Sequence, residues 1–113
     1  SDPILTIADL IYHQTKFGGL NRILANIEEL LEEVNLADLE SLLKWYPHMS
    51  VVQRLGYLIE FVEPESNLLK TIYKYLKSGR FYPVLLDIND NNKPGSVDNR
   101  WKVDVNIKLE SDI

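Results

Sequence analysis

Apolar positions recur every three to four residues over the first two thirds of the chain and every two residues over the last part. The densest helical run covers residues 50–62. Val51, Val52, Leu55, Leu58, Ile59 and Val62 keep helical spacing, and Tyr57 and Phe61 widen the apolar surface to most of the circumference. That is the pattern of a central helix covered by neighbours on several sides. Ser50 with Gln53 three residues on has the capping-box form. Glu63-Pro64 ends the run, because a residue before proline is pushed out of the α region. Gly56, in mid-helix, costs about 1 kcal/mol relative to alanine, which implies another backbone approaching closely there.

The same period predicts four more helices. The first covers residues 6–14, with Thr6 as N-cap and Asp9 three residues on; Ile7, Leu10 and Ile11 share a face, and Gln14 is the next position on it. Phe17-Gly18-Gly19 breaks it, glycines supplying the left-handed conformations of a sharp turn. Asn21 caps a second helix running to about residue 33, with a stripe of Ile23, Leu24, Ile27, Leu30, Leu31 and Val34. Asn35 caps a third, with Asp38 three residues later; Leu36, Leu39, Leu42, Leu43 and Tyr46 face inward, and Pro47 stops it. Ser66 or Asn67 starts the fifth, which ends near Ser78-Gly79 and buries Leu68, Leu69, Ile72, Tyr73 and Leu76.

The period then falls to two. Residues 82–86 read as a short strand, with Pro83 at an edge or at the strand's start. Residues 87–99 are a polar loop. In residues 100–109, Trp101, Val103, Val105, Ile107 and Leu109 alternate with Arg100, Lys102, Asp104, Asn106 and Lys108, as in a half-buried strand. Together these give an α+β fold: about five helices around residues 50–62, then a C-terminal antiparallel β-hairpin that must pack on the helices to be stable.

Composition narrows the class. The chain has 113 residues, enough for one domain, and no cysteine, which excludes disulfides and thiolate chemistry. No apolar run reaches the ~18 residues of a membrane helix; a cytoplasmic location is expected. The chain starts Ser1-Asp2-Pro3 without an initiator methionine, as a domain taken from a longer protein does. Net charge is −5, which gives no general attraction to nucleic acid. The charges are segregated. Glu28, Glu29, Glu32, Glu33, Asp38 and Glu40 sit close together, a solvated helix face or a dock for a basic partner. Lys70, Lys74, Lys77 and Arg80 form the opposite patch, fit for an exposed helix C-terminus or for contact with phosphate or an acidic partner.

Candidate chemistry is sparse. His13 and His48 lack metal-ligand spacing, and there is no phosphate loop or dinucleotide fingerprint. Asp87, Asn89, Asn91 and Asp98 fall at positions 1, 3, 5 and 12 of a calcium-loop template. Asn92 stands where that loop needs glycine, and Asp98 where it needs a bidentate glutamate. No metal or other cofactor is expected. Asp9 and Arg54 are charges among apolar neighbours on helices that pack inside, so they are expected to form a structural ion pair.

Five segments carry a family resemblance: Thr6-x-x-Asp9-Leu10-Ile11-Tyr12-His13-Gln14; Gly18-Gly19-Leu20-Asn21-Arg22; Gln53-Arg54-Leu55-Gly56-Tyr57-Leu58; Pro83-Val84-Leu85-Leu86-Asp87; and Arg100-Trp101-x-Val103-x-Val105-Asn106. In this order and spacing the chain resembles the C-terminal domain of the AbiEi antitoxins of bacterial type IV toxin–antitoxin systems. Gly18, Gly19, Gly56, Arg100, Trp101 and Asn106 are the signature positions. The resemblance implies a parent with an N-terminal winged helix-turn-helix that binds operator DNA and represses the operon. It implies a C-terminal domain acting against a nucleotidyltransferase-like toxin, and it supplies no catalytic residue. The expectation is a non-enzymatic antitoxin and transcriptional-regulator domain. The alternatives are a dimerisation or effector-sensing domain without a toxin partner, and an enzyme with its site at the loop 87–99 and Arg100.

Overall fold

The computed structural model describes residues 2–110; Ser1 lies outside them. Five α-helices and a two-stranded sheet make up the fold: α1 (Pro3–Tyr12), a 3-10 turn (Gln14–Phe17), α2 (Leu20–Leu31), α3 (Leu36–Leu43), α4 (Met49–Val62), α5 (Leu68–Lys77), β1 (Val84–Leu85) and β2 (Val103–Asp104). The helix count and the small sheet match the sequence reading. Several starts do not.

Asp2, not Thr6, caps α1: Asp2 Oδ1 accepts from Ile4 N–H at 3.1 Å, and Pro3 takes the first helical position, where its missing N–H costs nothing. Gly18 (φ 86°) and Gly19 (φ 99°) both adopt conformations that disfavour a side chain, and Gly19, not Asn21, is the N-cap of α2. Asn21 ties down the chain end instead, donating to Lys108 O (3.1 Å) and accepting from Glu110 N–H (2.8 Å). Asn35 caps α3 as expected, accepting from Asp38 N–H at 2.9 Å. Leu36 is exposed rather than inward-facing. Ser66 Oγ accepts from Leu68 N–H at 3.2 Å at the start of α5.

α4 begins two residues earlier than a Ser50 cap allows, with His48 at the N-cap. This frees Gln53 from capping, and it is buried. α4 packs on α1, α5 and β2, while α1 packs on α2, α3 and α4. The centre is therefore shared by α1 and α4, and Phe61 of α4 is left exposed. Buried apolar residues from all five helices join Leu86, Trp101, Val103 and Leu109 in one cluster.

The sheet is parallel, correcting the antiparallel hairpin: Val84 pairs with Val103 and Leu85 with Asp104. Residues 86–102 form the connection, long enough for the crossover that parallel strands need. The ten-residue alternation yields only two ladder residues, for a local reason. Lys102 is left-handed (φ 55°), and Asn99 Oδ1 draws in both Trp101 N–H (3.2 Å) and Val103 N–H (3.1 Å), bending the chain ahead of the strand. Farther on, Asp104 and Asn106 are buried, not solvent-facing. Asp104 accepts from Gly95 N–H (3.2 Å) and Ser96 N–H (3.0 Å). Asn106 Oδ1 accepts from Asp87 N–H (2.8 Å), and its Nδ2 donates to Asp87 O (2.9 Å) and Asp90 O (3.1 Å). The polar loop is thus folded over the strand that follows it.

Candidate functional site

The expected Asp9–Arg54 pair is not formed. Asp9 is exposed on α1. Arg54 Nε donates to Leu85 O at 2.8 Å, and burial holds the guanidinium pKa below its usual value. A backbone carbonyl at the end of β1 satisfies the buried donor, so no carboxylate is needed.

Three of the signature residues, Gly56, Arg100 and Trp101, meet between α4 and the C-terminal segment, while Gly18 and Gly19 make the turn before α2 and Asn106 binds the loop at Asp87 and Asp90. Gly56 lies under the indole of Trp101: a Cβ built there comes within 2.5 Å of Cζ3 and 2.7 Å of Cδ2. The close approach read from Gly56 is real, but it is made by a ring and not by a backbone. Around that contact Gln53 Nε2 donates to Tyr82 O (2.8 Å) and Trp101 O (2.9 Å), and Trp101 Nε1 donates to Glu60 Oε1 (2.8 Å). Arg100 Nη2 pairs with Glu60 Oε2 at 3.0 Å, and its guanidinium lies 4.7 Å from the Trp101 ring and 5.3 Å from that of Tyr73. Burial and then the Glu60 charge raise the Tyr57 pKa. Gln53, Glu60, Arg100 and Trp101 are all engaged within the chain, so the constellation is a clamp for residues 82–101.

Among the described residues, three of the surface grooves have room for a ligand or partner. One, of about 600 Å³, lies between α2 and the end of α4 and carries Glu28, Glu29, Glu32 and Glu63. A second, of about 450 Å³, lies between α1 and α2, with Leu10, Leu30, Glu29 and Glu33. Carboxylates on the outer face of a helix in an acidic chain are what solvation alone produces. The third groove differs. It measures about 430 Å³ between α3 and α5, has Leu43, Thr71 and Tyr75 in its wall, and is rimmed by Lys44, Lys74 and Glu40.

The structure puts Lys70, Lys74 and Lys77 on the exposed face of α5, with Arg80 exposed just beyond it. Lys74 reaches the groove. Lys77 Nζ instead lies 5.4 Å from the Tyr73 ring centroid. Lys44 is the member of this basic surface that sequence reasoning missed. Its signal was faint: a lysine at the end of the third helical run becomes relevant only once α3 lies against α5.

Among the described residues no group of three or more His, Asp or Glu is placed to hold a metal ion, and no helix is long and apolar enough to cross a membrane. Comparison with protein-family models, with curated proteins and with solved structures finds no match to this chain.

Proposed function

We propose that this chain is a protein-binding domain of the kind its sequence resembles: the antitoxin and regulator domain of an AbiEi-type system. On this reading it neutralises a nucleotidyltransferase-like toxin in the cytoplasm, beside a winged helix-turn-helix that binds operator DNA. The observation that carries the proposal is the α3–α5 groove. An open apolar wall with a largely cationic rim accepts an apolar anchor side chain with acidic flanks. It also sits on a chain whose net charge is −5, so its positive character is local and sets the groove apart from the rest of the surface. The RLGYL and RWxVxVN pieces of the resemblance meet in one clamp, Gly56 lying against Trp101 across 45 positions of sequence, which supports the fold that the resemblance implies.

The test is growth rescue. The chain is co-expressed with a nucleotidyltransferase-like toxin, first intact and then with Lys44, Lys70, Lys74 and Lys77 replaced by glutamate. Rescue by the intact chain and its loss in the charge-reversed variant is the expected result. Failure of a soluble, folded intact chain to rescue overturns the antitoxin assignment. Rescue that survives charge reversal overturns the groove.

A further inference from the structure

Away from that groove, five aromatic rings gather where the end of α1 meets the start of α4. Tyr12 stacks on His48 with ring centroids 4.4 Å apart and planes at 18°. His13 meets Tyr12 edge-on at 4.8 Å, Tyr46 meets His48 edge-on at 5.5 Å, and Trp45 meets Tyr46 at 5.8 Å. Tyr46 is buried, but the outer members of the ladder are open: Tyr12 is 44% exposed and Trp45 59%. Two large exposed rings joined through a continuous ladder form a patch rather than scattered surface residues.

A carboxylate belongs to the same patch. Asp9 lies one helical turn before Tyr12, so the two share a side of α1. Asp9 is exposed and makes no salt bridge among the described residues. Its charge does reach the ladder: after burial, the largest influences raising the Tyr46 pKa are Asp9 and then Tyr12.

What such a set of groups holds is visible elsewhere in the chain. Glu60, Tyr73 and Trp101 together hold Arg100, the carboxylate by a 3.0 Å ion pair and the rings by cation–π contact. The α1–α4 corner presents the same kinds of group in Asp9, Tyr12 and Trp45. Among the described residues no arginine or lysine lies over those rings.

We propose that this corner is a docking site for an arginine-bearing basic segment of a protein partner. One guanidinium packs on Tyr12 with Asp9 accepting its N–H groups, and Trp45 takes a neighbouring side chain of the same segment. A planar guanidinium stacks on rings and forks onto a carboxylate, which a lysine ammonium does less well. Asp9 and the net negative charge oppose a nucleic acid stacking there. The site is independent of the α3–α5 groove and of the antitoxin reading.

The test is titration of the whole chain with a hexa-arginine peptide, against hexacitrulline as a ligand of the same shape without charge, at ~150 mM salt. Backbone and indole amide shifts are followed by NMR. The expected result is shifts centred on Tyr12, His13, Trp45 and His48, with hexacitrulline about tenfold weaker. Asp9→Asn and Tyr12→Leu each weaken binding about three- to fivefold. A variant with Glu28, Glu29, Glu32 and Glu33 all replaced by glutamine binds as the parent does. Shifts confined to α2 and lost in that glutamine variant overturn the proposal. So does equal binding of hexacitrulline, or the absence of any shift.

Discussion

Replacing Gly56 with alanine tests the α4–C-terminal contact directly. At an open helical position the change stabilises by about 1 kcal/mol, since alanine is the better helix former. Here the new methyl group falls within 3 Å of three atoms of the Trp101 ring. The ring has nowhere easy to go. It is fully buried, its Nε1 is bonded to Glu60 at 2.8 Å, and its carbonyl is held by Gln53 at 2.9 Å. Overpacking of this kind costs about 1–3 kcal/mol, and a strained indole bond adds about 1 kcal/mol. After the helix gain is subtracted, Gly56→Ala destabilises by about 2 kcal/mol. For a domain of this size that lowers Tm by about 8 °C. Thermal and urea unfolding of the parent, Gly56→Ala, Trp101→Leu and the double variant measures it. In the Trp101→Leu background the six-membered ring is gone, and the alanine becomes neutral or stabilising. A Gly56→Ala chain as stable as the parent, or two changes that simply add, refutes the reasoning.

Further outcomes follow from other contacts. Arg54→Met leaves Leu85 O without its donor and costs about 1–3 kcal/mol; Asp9→Asn stays within about 0.5 kcal/mol, and the two add in a double-mutant unfolding cycle because they do not pair. Burial raises the pKa of both Tyr46 and Tyr57. The folded chain therefore keeps those protons after the unfolded chain has lost them near pH ~10, and stability falls as pH rises through that range. Urea midpoints across alkaline pH fall less steeply in Tyr46→Phe and Tyr57→Phe. Asn106→Leu removes three bonds to Asp87 and Asp90 and costs about 2–3 kcal/mol, and hydrogen exchange accelerates across residues 87–92. Unchanged protection there sinks the claim that Asn106 folds the loop.

The helices were legible because each carries an apolar stripe at period 3.6. Their starts were less so, since several residue types compete for each cap. Thr6, Asn21 and Ser50 all have capping chemistry, yet Asp2-Pro3, Gly19 and His48 stand nearer the true starts. The C-terminal part misled for a different reason. Alternation reports which side chains are buried, not which backbone groups pair. Trp101 and Val103 are buried as the pattern required. Asp104 and Asn106 are buried too, because the preceding loop brings its own N–H groups to them. Strand direction was beyond reach of the pattern, since a connection of this length permits either sense. The ion pair failed because a backbone carbonyl, invisible in a list of charged residues, satisfied Arg54. The basic stripe on α5 was readable from spacing. Its partner Lys44 and the ring ladder needed the fold, since each depends on helices meeting across many residues.

The clamp bears on how far a resemblance reaches. Gln53, Arg54, Gly56, Arg100 and Trp101 bond or pack between α4 and residues 82–101, and Asn106 ties the loop after β1 to the segment that follows it. A motif built from such residues transmits the fold, because a change at any of them opens the joint between helices and sheet. It constrains the exposed faces much less. Lys44, Lys70 and Lys74 border the clamp nowhere in its bonding, and neither do Tyr12 or Trp45. No bond of the clamp constrains these positions. Charge reversal at the lysines should therefore change binding while leaving Tm within about 6 °C of the parent. Gly56→Ala should do the reverse at equal temperature below its midpoint, lowering Tm while the folded fraction still binds. A charge-reversed chain that melts early would place the lysines in the architecture and remove the groove from consideration as a binding surface.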